Sequence, residues 1–191
     1  MQLFERRVPA RLQPGAKRLY FGAKAVYFAS IRGDLPRGVR AQLLGVSLRI
    51  VAHRAPRSDI SVALPGGPVF LAADSYDIDA LTLGYVWGQR VFPTECRGRV
   101  VIDLGAHKGY FGAWALARGA SAVYSFEPFS GSYDLLSRAR ALNARSHAWH
   151  CERAAVGEST GTAELFISAE SWAHSLHDEI VESVAVEHVP M

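Results

Sequence analysis

Residues 100–112, Val-Val-Ile-Asp-Leu-Gly-Ala-His-Lys-Gly-Tyr-Phe-Gly, constrain the fold more than any other stretch of the chain. Val100 to Leu104 are apolar apart from Asp103, and Val100, Val101 and Ile102 are β-branched, the composition of a parallel strand covered on both faces. Gly105 supplies a sharp turn. Gly109 lets a ligand or a neighbouring strand approach the first turn of a helix whose free N–H groups face the crevice. Strand, glycine turn and helix start, in that order, predict a βα unit with a ligand crevice at the carboxyl end of the strand.

The sequence that follows repeats the pattern. Tyr110 to Arg118, with Trp114 and Leu116 among alanines, predicts a short helix closed by Gly119. The second strand, Ala122 to Phe126, runs into Glu127-Pro128, where proline stops the strand and leaves a carboxylate at its carboxyl end. A helix is expected next, with Ser130 as its N-cap, Tyr133, Leu136 and Ala139 on one face and Asn143 just past its end. A third strand is expected over about residues 147–151, and a hairpin over 162–167. Strand and helix signals alternating from about residue 98 predict an α/β fold built on a parallel sheet. Upstream, Ile60 to Leu64 and Val69 to Ala72 flank Pro65-Gly66-Gly67-Pro68 and predict a β-hairpin, followed by a helix from Tyr76 to Trp87 that covers the sheet. Helical pieces are expected over about 16–31 and 37–52.

With 191 residues, 49% of them hydrophobic, the chain is large enough for one domain with a sizeable core and an appendage, and its composition is not that of a disordered chain. The appendage is marked by charge. Residues 1–40 hold nine Lys and Arg against Glu5 and Asp34, a net of +7, and leave the rest of the chain at −4. Leu19, Tyr20, Phe21, Val26, Tyr27, Phe28 and Ile31 recur at roughly helical spacing within it, which predicts an amphipathic helix packed on the domain with a solvated basic face. The boundary is expected between residues 58 and 59, with a basic helical arm over 1–58 and the main domain over 59–191. Cys96 and Cys151 are too far apart for a zinc motif, and no apolar run is long enough for a signal peptide or a membrane span. A reducing, cytoplasmic compartment is therefore the expectation.

Which cofactor the crevice takes follows from what its loop lacks. Glu127 lies 24 residues beyond Asp103, a spacing suited to a carboxylate that accepts hydrogen bonds from both hydroxyls of a ribose. A pyrophosphate fingerprint starting at Gly105 requires glycines at 107 and 110, where this chain has His107 and Tyr110, and this counts against NAD or FAD. S-adenosylmethionine carries no phosphate. Its methionine part needs close approach of the backbone, which Gly105 and Gly109 permit, and a strand-end carboxylate, Asp103, to attract its amino group.

The histidines carry less. His107, His174 and His177 are candidate bases for taking a hydroxyl proton, and no residue is assigned as catalytic. His147-x-x-His150-Cys151 would divide its side chains between the two faces of a strand, and His174-x-x-His177 has no visible third ligand, so no metal is expected. Trp114, Trp149 and Trp172 read as core or cover residues, and no nucleic-acid partner is expected.

Together Val101-Ile102-Asp103-Leu104-Gly105-Ala106-His107-Lys108-Gly109-Tyr110-Phe111, Val123-Tyr124-Ser125-Phe126-Glu127-Pro128, Leu142-Asn143 and Ala155-Val156-Gly157 resemble the FkbM-type family of S-adenosylmethionine-dependent methyltransferases. The resemblance covers about residues 60–190. It implies a Rossmann-like class I methyltransferase fold, S-adenosyl-L-methionine as cofactor, and O-methylation of a hydroxyl on a sugar or secondary metabolite. It also implies that Asp103, Gly105, Ala106, His107 and Gly109 line the methionine end, that Glu127 holds the ribose, and that the adenine edge lies at Glu152-Arg153-Ala154. The family continues with a Leu-Asp segment and further strands, whereas this chain stops at Met191. The C-terminal half of the sheet is therefore expected to be missing, and the edge of the first strand to be open unless an oligomer or another partner covers it. The chain is expected either as a methyltransferase or as a catalytically inactive fragment that keeps the cofactor-binding half.

Overall fold

The computed structural model describes residues 35–88, 95–168, 174–176 and 183–191, together with Tyr20 and Ala23. Helix α1 (Arg37–Val51) leads to a hairpin of β1 (Ile60–Leu64) and β2 (Gly67–Leu71), and then to α2 (Tyr76–Gly88). The centre of the chain is β3 (Val100–Leu104), α3 (Tyr110–Ala117), β4 (Ala122–Phe126), α4 (Ser130–Ala141), a 3-10 turn (Ser146–Ala148) and β5 (Trp149–Glu152). β6 (Thr162–Ser168) and β7 (Ser183–Pro190) close the order. This is a mixed α/β, Rossmann-like arrangement, as expected.

The sheet that positions the crevice has the order β3-β4-β5, with both pairings parallel. Its strands end in step, Leu104 beside Phe126 and Phe126 beside Glu152, so the loops that follow β3 and β4 emerge at one rim. Val123 and Trp149 are fully buried on the face that packs against α3 and α4. The same core takes in Leu35, Val39, Leu43, Val46 and Ile50 from α1 and its approach, Leu83 and Trp87 from α2, and Val62, Val69 and Leu71 from the hairpin. A smaller cluster of Ala155, Leu165 and Val189 holds the antiparallel β6-β7 pair beside Phe129.

The structure corrects several expectations. β3 is covered on one face only: Val100, Ile102 and Leu104 are 62%, 66% and 59% exposed, because α3 and α4 both pack on the opposite face. An apolar run reads the same whether one or both of its faces are covered. Ser130 is the first helical residue of α4 and not its cap. Phe129 holds the cap position with no side-chain bond, and the Ser130 hydroxyl donates to Glu187 Oε2 at 3.1 Å. His147 lies in the 3-10 turn and not in the third strand, since Asn143 Oδ1 accepts from the Arg145 N–H and delays the strand until Trp149. Residues 162–167 form no hairpin of their own but one strand paired with β7.

The first hairpin is as expected, except that its turn is the pair Pro65-Gly66, with Gly67 and Pro68 already in the strand. Gly67 is obligatory there: a Cβ would stand 2.8 Å from Asn143 Cα and Leu142 O, where the hairpin tip meets the end of α4. Apart from Tyr20 and Ala23, which are helical, the helix expected over 16–31 lies outside the described residues. No helix among the described residues is long and apolar enough to cross a membrane.

Candidate functional site

The loop between β3 and α3 is built on left-handed backbone. Gly105, His107 and Gly109 have φ of 72°, 52° and 83°. The two glycines serve different ends. A Cβ on Gly109 would stand 2.7 Å from Leu136 Cδ1 and 3.0 Å from Trp149 Cζ2, so here the close neighbours are side chains of α4 and β5. A Cβ on Gly105 would meet open space. The N–H groups of Gly105 and Ala106 both donate to Phe126 O, at 3.0 and 2.9 Å, which continues the β3-β4 ladder into the loop.

Lys108 fixes the loop from below. Its ammonium is buried and lies 2.7 Å from both Asp79 oxygens and 2.9 Å from Ser75 Oγ. Asp79 also accepts from the Ala72 N–H at 2.7 Å, so one buried ion pair joins the end of β2, the start of α2 and the glycine loop. Burial raises the Asp79 carboxyl above the ordinary range, and the Lys108 charge opposes that shift.

Glu127 stands directly past β4 and is buried. Oε2 accepts from the His107 N–H at 2.7 Å and Oε1 from the Phe129 N–H at 2.9 Å, which ties the two strand-end loops together. A carboxylate has about four acceptor positions, so roughly two are left after these bonds. Burial raises its pKa, against the opposing effect of the two N–H groups and of Lys108.

Asp103 points to the helix-covered face, where the Ser125 hydroxyl, itself accepting from Trp149 Nε1 at 3.0 Å, donates to it at 3.4 Å. Its pKa is pushed up to about 6, chiefly by burial, with the Ser125 bond opposing and the Glu127 charge adding.

A cavity of 260 Å³ opens at this rim, lined by Thr82, Gly105, His107, Glu127, Pro128, Leu165 and His174. That is below the roughly 300–1,000 Å³ of whole small-molecule sites, and suits a sugar-sized portion of a larger ligand. Of the residues expected from sequence, Gly105, His107 and Glu127 come together here. Ala106 is buried in the loop, Gly109 is packed under Trp149, and Asp103 lies off the cavity wall. Glu152 is exposed, and its backbone carbonyl accepts from the Glu127 N–H at 3.1 Å.

Thr82, Leu165 and the Lys108–Asp79 pair carry no local signal in the sequence. Thr82 is a lone hydroxyl on an apolar helix, Leu165 looks like any core residue of β6, and Asp79 is 29 positions from Lys108. His177 lies outside the described residues, and among those described no group of three His, Cys, Asp or Glu side chains could hold a metal ion. A larger surface hollow of 780 Å³, lined by Asp59, Asp74, Asp134 and Arg138 among others, shares no residue with the crevice. Arg138 and Asp59 are paired there at 2.9 Å, and no residue of the parallel sheet's strands or their carboxyl ends lines it.

No protein-family model matches the chain, and no curated protein matches it. One solved structure to which it is similar is that of a proposed RNA methyltransferase, PH1948 from Pyrococcus horikoshii, at 22% identity and a TM-score of 0.32. The likeness covers 38% of this chain and 36% of that one, so the shared stretch spans about a third of that protein's length.

Proposed function

We propose that this chain is an S-adenosylmethionine-dependent methyltransferase of the FkbM type, a cytoplasmic protein whose acceptor is a hydroxyl on a sugar or secondary metabolite. The observation that carries this reading is Glu127, a buried carboxylate with acceptor capacity left over, on the same cavity wall as the open side of Gly105. The donor set fits the group. Glu127 would take the ribose hydroxyls, the Gly105 turn would admit the methionine part, and Glu152 with its loop would border the adenine. Against a dinucleotide stands Tyr110, whose ring is buried and whose hydroxyl donates to Phe70 O at 2.8 Å where the pyrophosphate fingerprint has its last glycine.

When bound, S-adenosylmethionine supplies an electrophilic methyl group on a sulfonium. The part of the chain's own residues is positioning, which accounts for most of the acceleration in an in-line displacement. Lys108 and Asp79 hold the loop and Glu127 locks it to the start of α4, while Asp103, bonded to Ser125 and off the cavity wall, takes no direct part.

A second reading, a module that binds the cofactor without turnover, draws on β3, an edge strand of its sheet among the described residues whose Val100, Ile102 and Leu104 face is left exposed. Saturation-transfer NMR with S-adenosylmethionine, using NAD as control, tests the site, followed by transfer of a labelled methyl group to a panel of hydroxylated sugars. Binding of S-adenosylmethionine and not of NAD is expected. Binding without transfer would favour the second reading, and preference for NAD would overturn both.

A further inference from the structure

The crevice contains a histidine whose two ring nitrogens are in different situations. His174 Nδ1 accepts a hydrogen bond from the Ser168 N–H at 3.1 Å, so the neutral ring carries its proton on Nε2. Nε2 is buried with no hydrogen-bond partner among the described residues, and His174 lines the same cavity as Glu127 and Gly105. The ring is held in place. It lies 4.3 Å from the Phe129 ring, and beside it Phe166 and Ser175 exchange two backbone hydrogen bonds of 2.8 and 3.1 Å. Phe129 also donates its N–H to Glu127, so one residue supports both the acceptor and the donor. Burial and the Lys108 charge lower the His174 pKa below its ordinary value and keep the ring neutral near pH 7.

An ionised carboxylate only accepts hydrogen bonds. A hydroxyl that donates to Glu127 keeps its own lone pairs, and these need a donor. We propose that His174 Nε2–H donates a hydrogen bond to a ribose hydroxyl oxygen of the bound cofactor. His174 is then a cofactor-binding residue and not the general base: a base needs a free lone pair, and Nδ1 has already committed its own. The inference rests on the cofactor reading above.

Calorimetry with S-adenosylhomocysteine on the wild type, His174→Gln and His174→Asn tests it. The Gln amide nitrogen reaches about the place of Nε2, and the Asn amide does not. Affinity within about threefold of wild type is expected for Gln and a loss of about tenfold for Asn, the size of one buried hydrogen bond. The same loss is expected with 5′-methylthioadenosine, which keeps the ribose and lacks the amino-acid carboxylate. In the wild type, which needs no variant to fold, the imidazole Nε2–H resonance should shift and slow its exchange with water on binding. An unaffected His174→Asn together with an unmoved resonance overturns the inference. A loss that disappears with 5′-methylthioadenosine also overturns it, since the acceptor is then the carboxylate. A wild type that binds neither ligand sinks the cofactor reading itself, whereas binding that is weakened by Glu127→Ala and untouched at His174 sinks this inference alone.

Discussion

Gly105 and Gly109 share a left-handed backbone and differ in what surrounds them, which makes them separable by experiment. Ala at Gly105 meets open space and carries only the conformational cost of about 1–2 kcal/mol. Ala at Gly109 adds a clash with Leu136 and Trp149 and should cost about 2–5 kcal/mol in urea denaturation. Equal costs would contradict the division of roles. Asp103 makes a second prediction, with a sign opposite to that of a salt-bridged carboxylate. Its pKa is raised to about 6 from 3.8, so the folded state binds more protons between those values, and the wild type loses stability as pH rises through that window. Asp103→Asn removes that loss. It should be about 1–3 kcal/mol more stable than wild type at pH 7.5 and no different below pH 4, and a difference that is flat with pH would contradict the raised pKa of the half-buried carboxyl.

At the scale of elements, the glycine loop is set against α2 by the buried Lys108–Asp79 pair. Lys108→Met leaves the Asp79 carboxylate buried without its cation and should cost about 3–5 kcal/mol. Replacing both, with Asp79→Leu, should restore much of this, and melting temperatures of the three variants check it. The two faces of the parallel sheet give another contrast. Ile102→Thr, on the exposed row, should change stability by less than about 0.5 kcal/mol, while Val123→Ala, fully buried, should cost about 2 kcal/mol.

For the molecule as a whole, the elements were legible because each rests on local chemistry. The β-branched run at 100–102, the left-handed Gly119 after α3 and the proline after Glu127 each mark a boundary within a few residues of sequence. The rim of the crevice was legible in part for the same reason, since Gly105, His107 and Glu127 flank strand ends. What covers a strand was not legible, because an apolar run does not report how many layers it meets. Nor were Thr82, Leu165 and the Asp79 partner of Lys108, whose roles come from packing between elements far apart in sequence. His174 was visible only as a candidate base, because its tautomer depends on the Ser168 N–H that meets it in the folded chain. The proposed function places the ribose of S-adenosylmethionine on Glu127. Calorimetric titration of S-adenosylhomocysteine into wild type and Glu127→Ala, below the melting temperature of both, tests it most directly. Binding to the wild type and a loss of about ten- to a hundredfold in the variant are expected; equal affinities, or no binding to either, would contradict it.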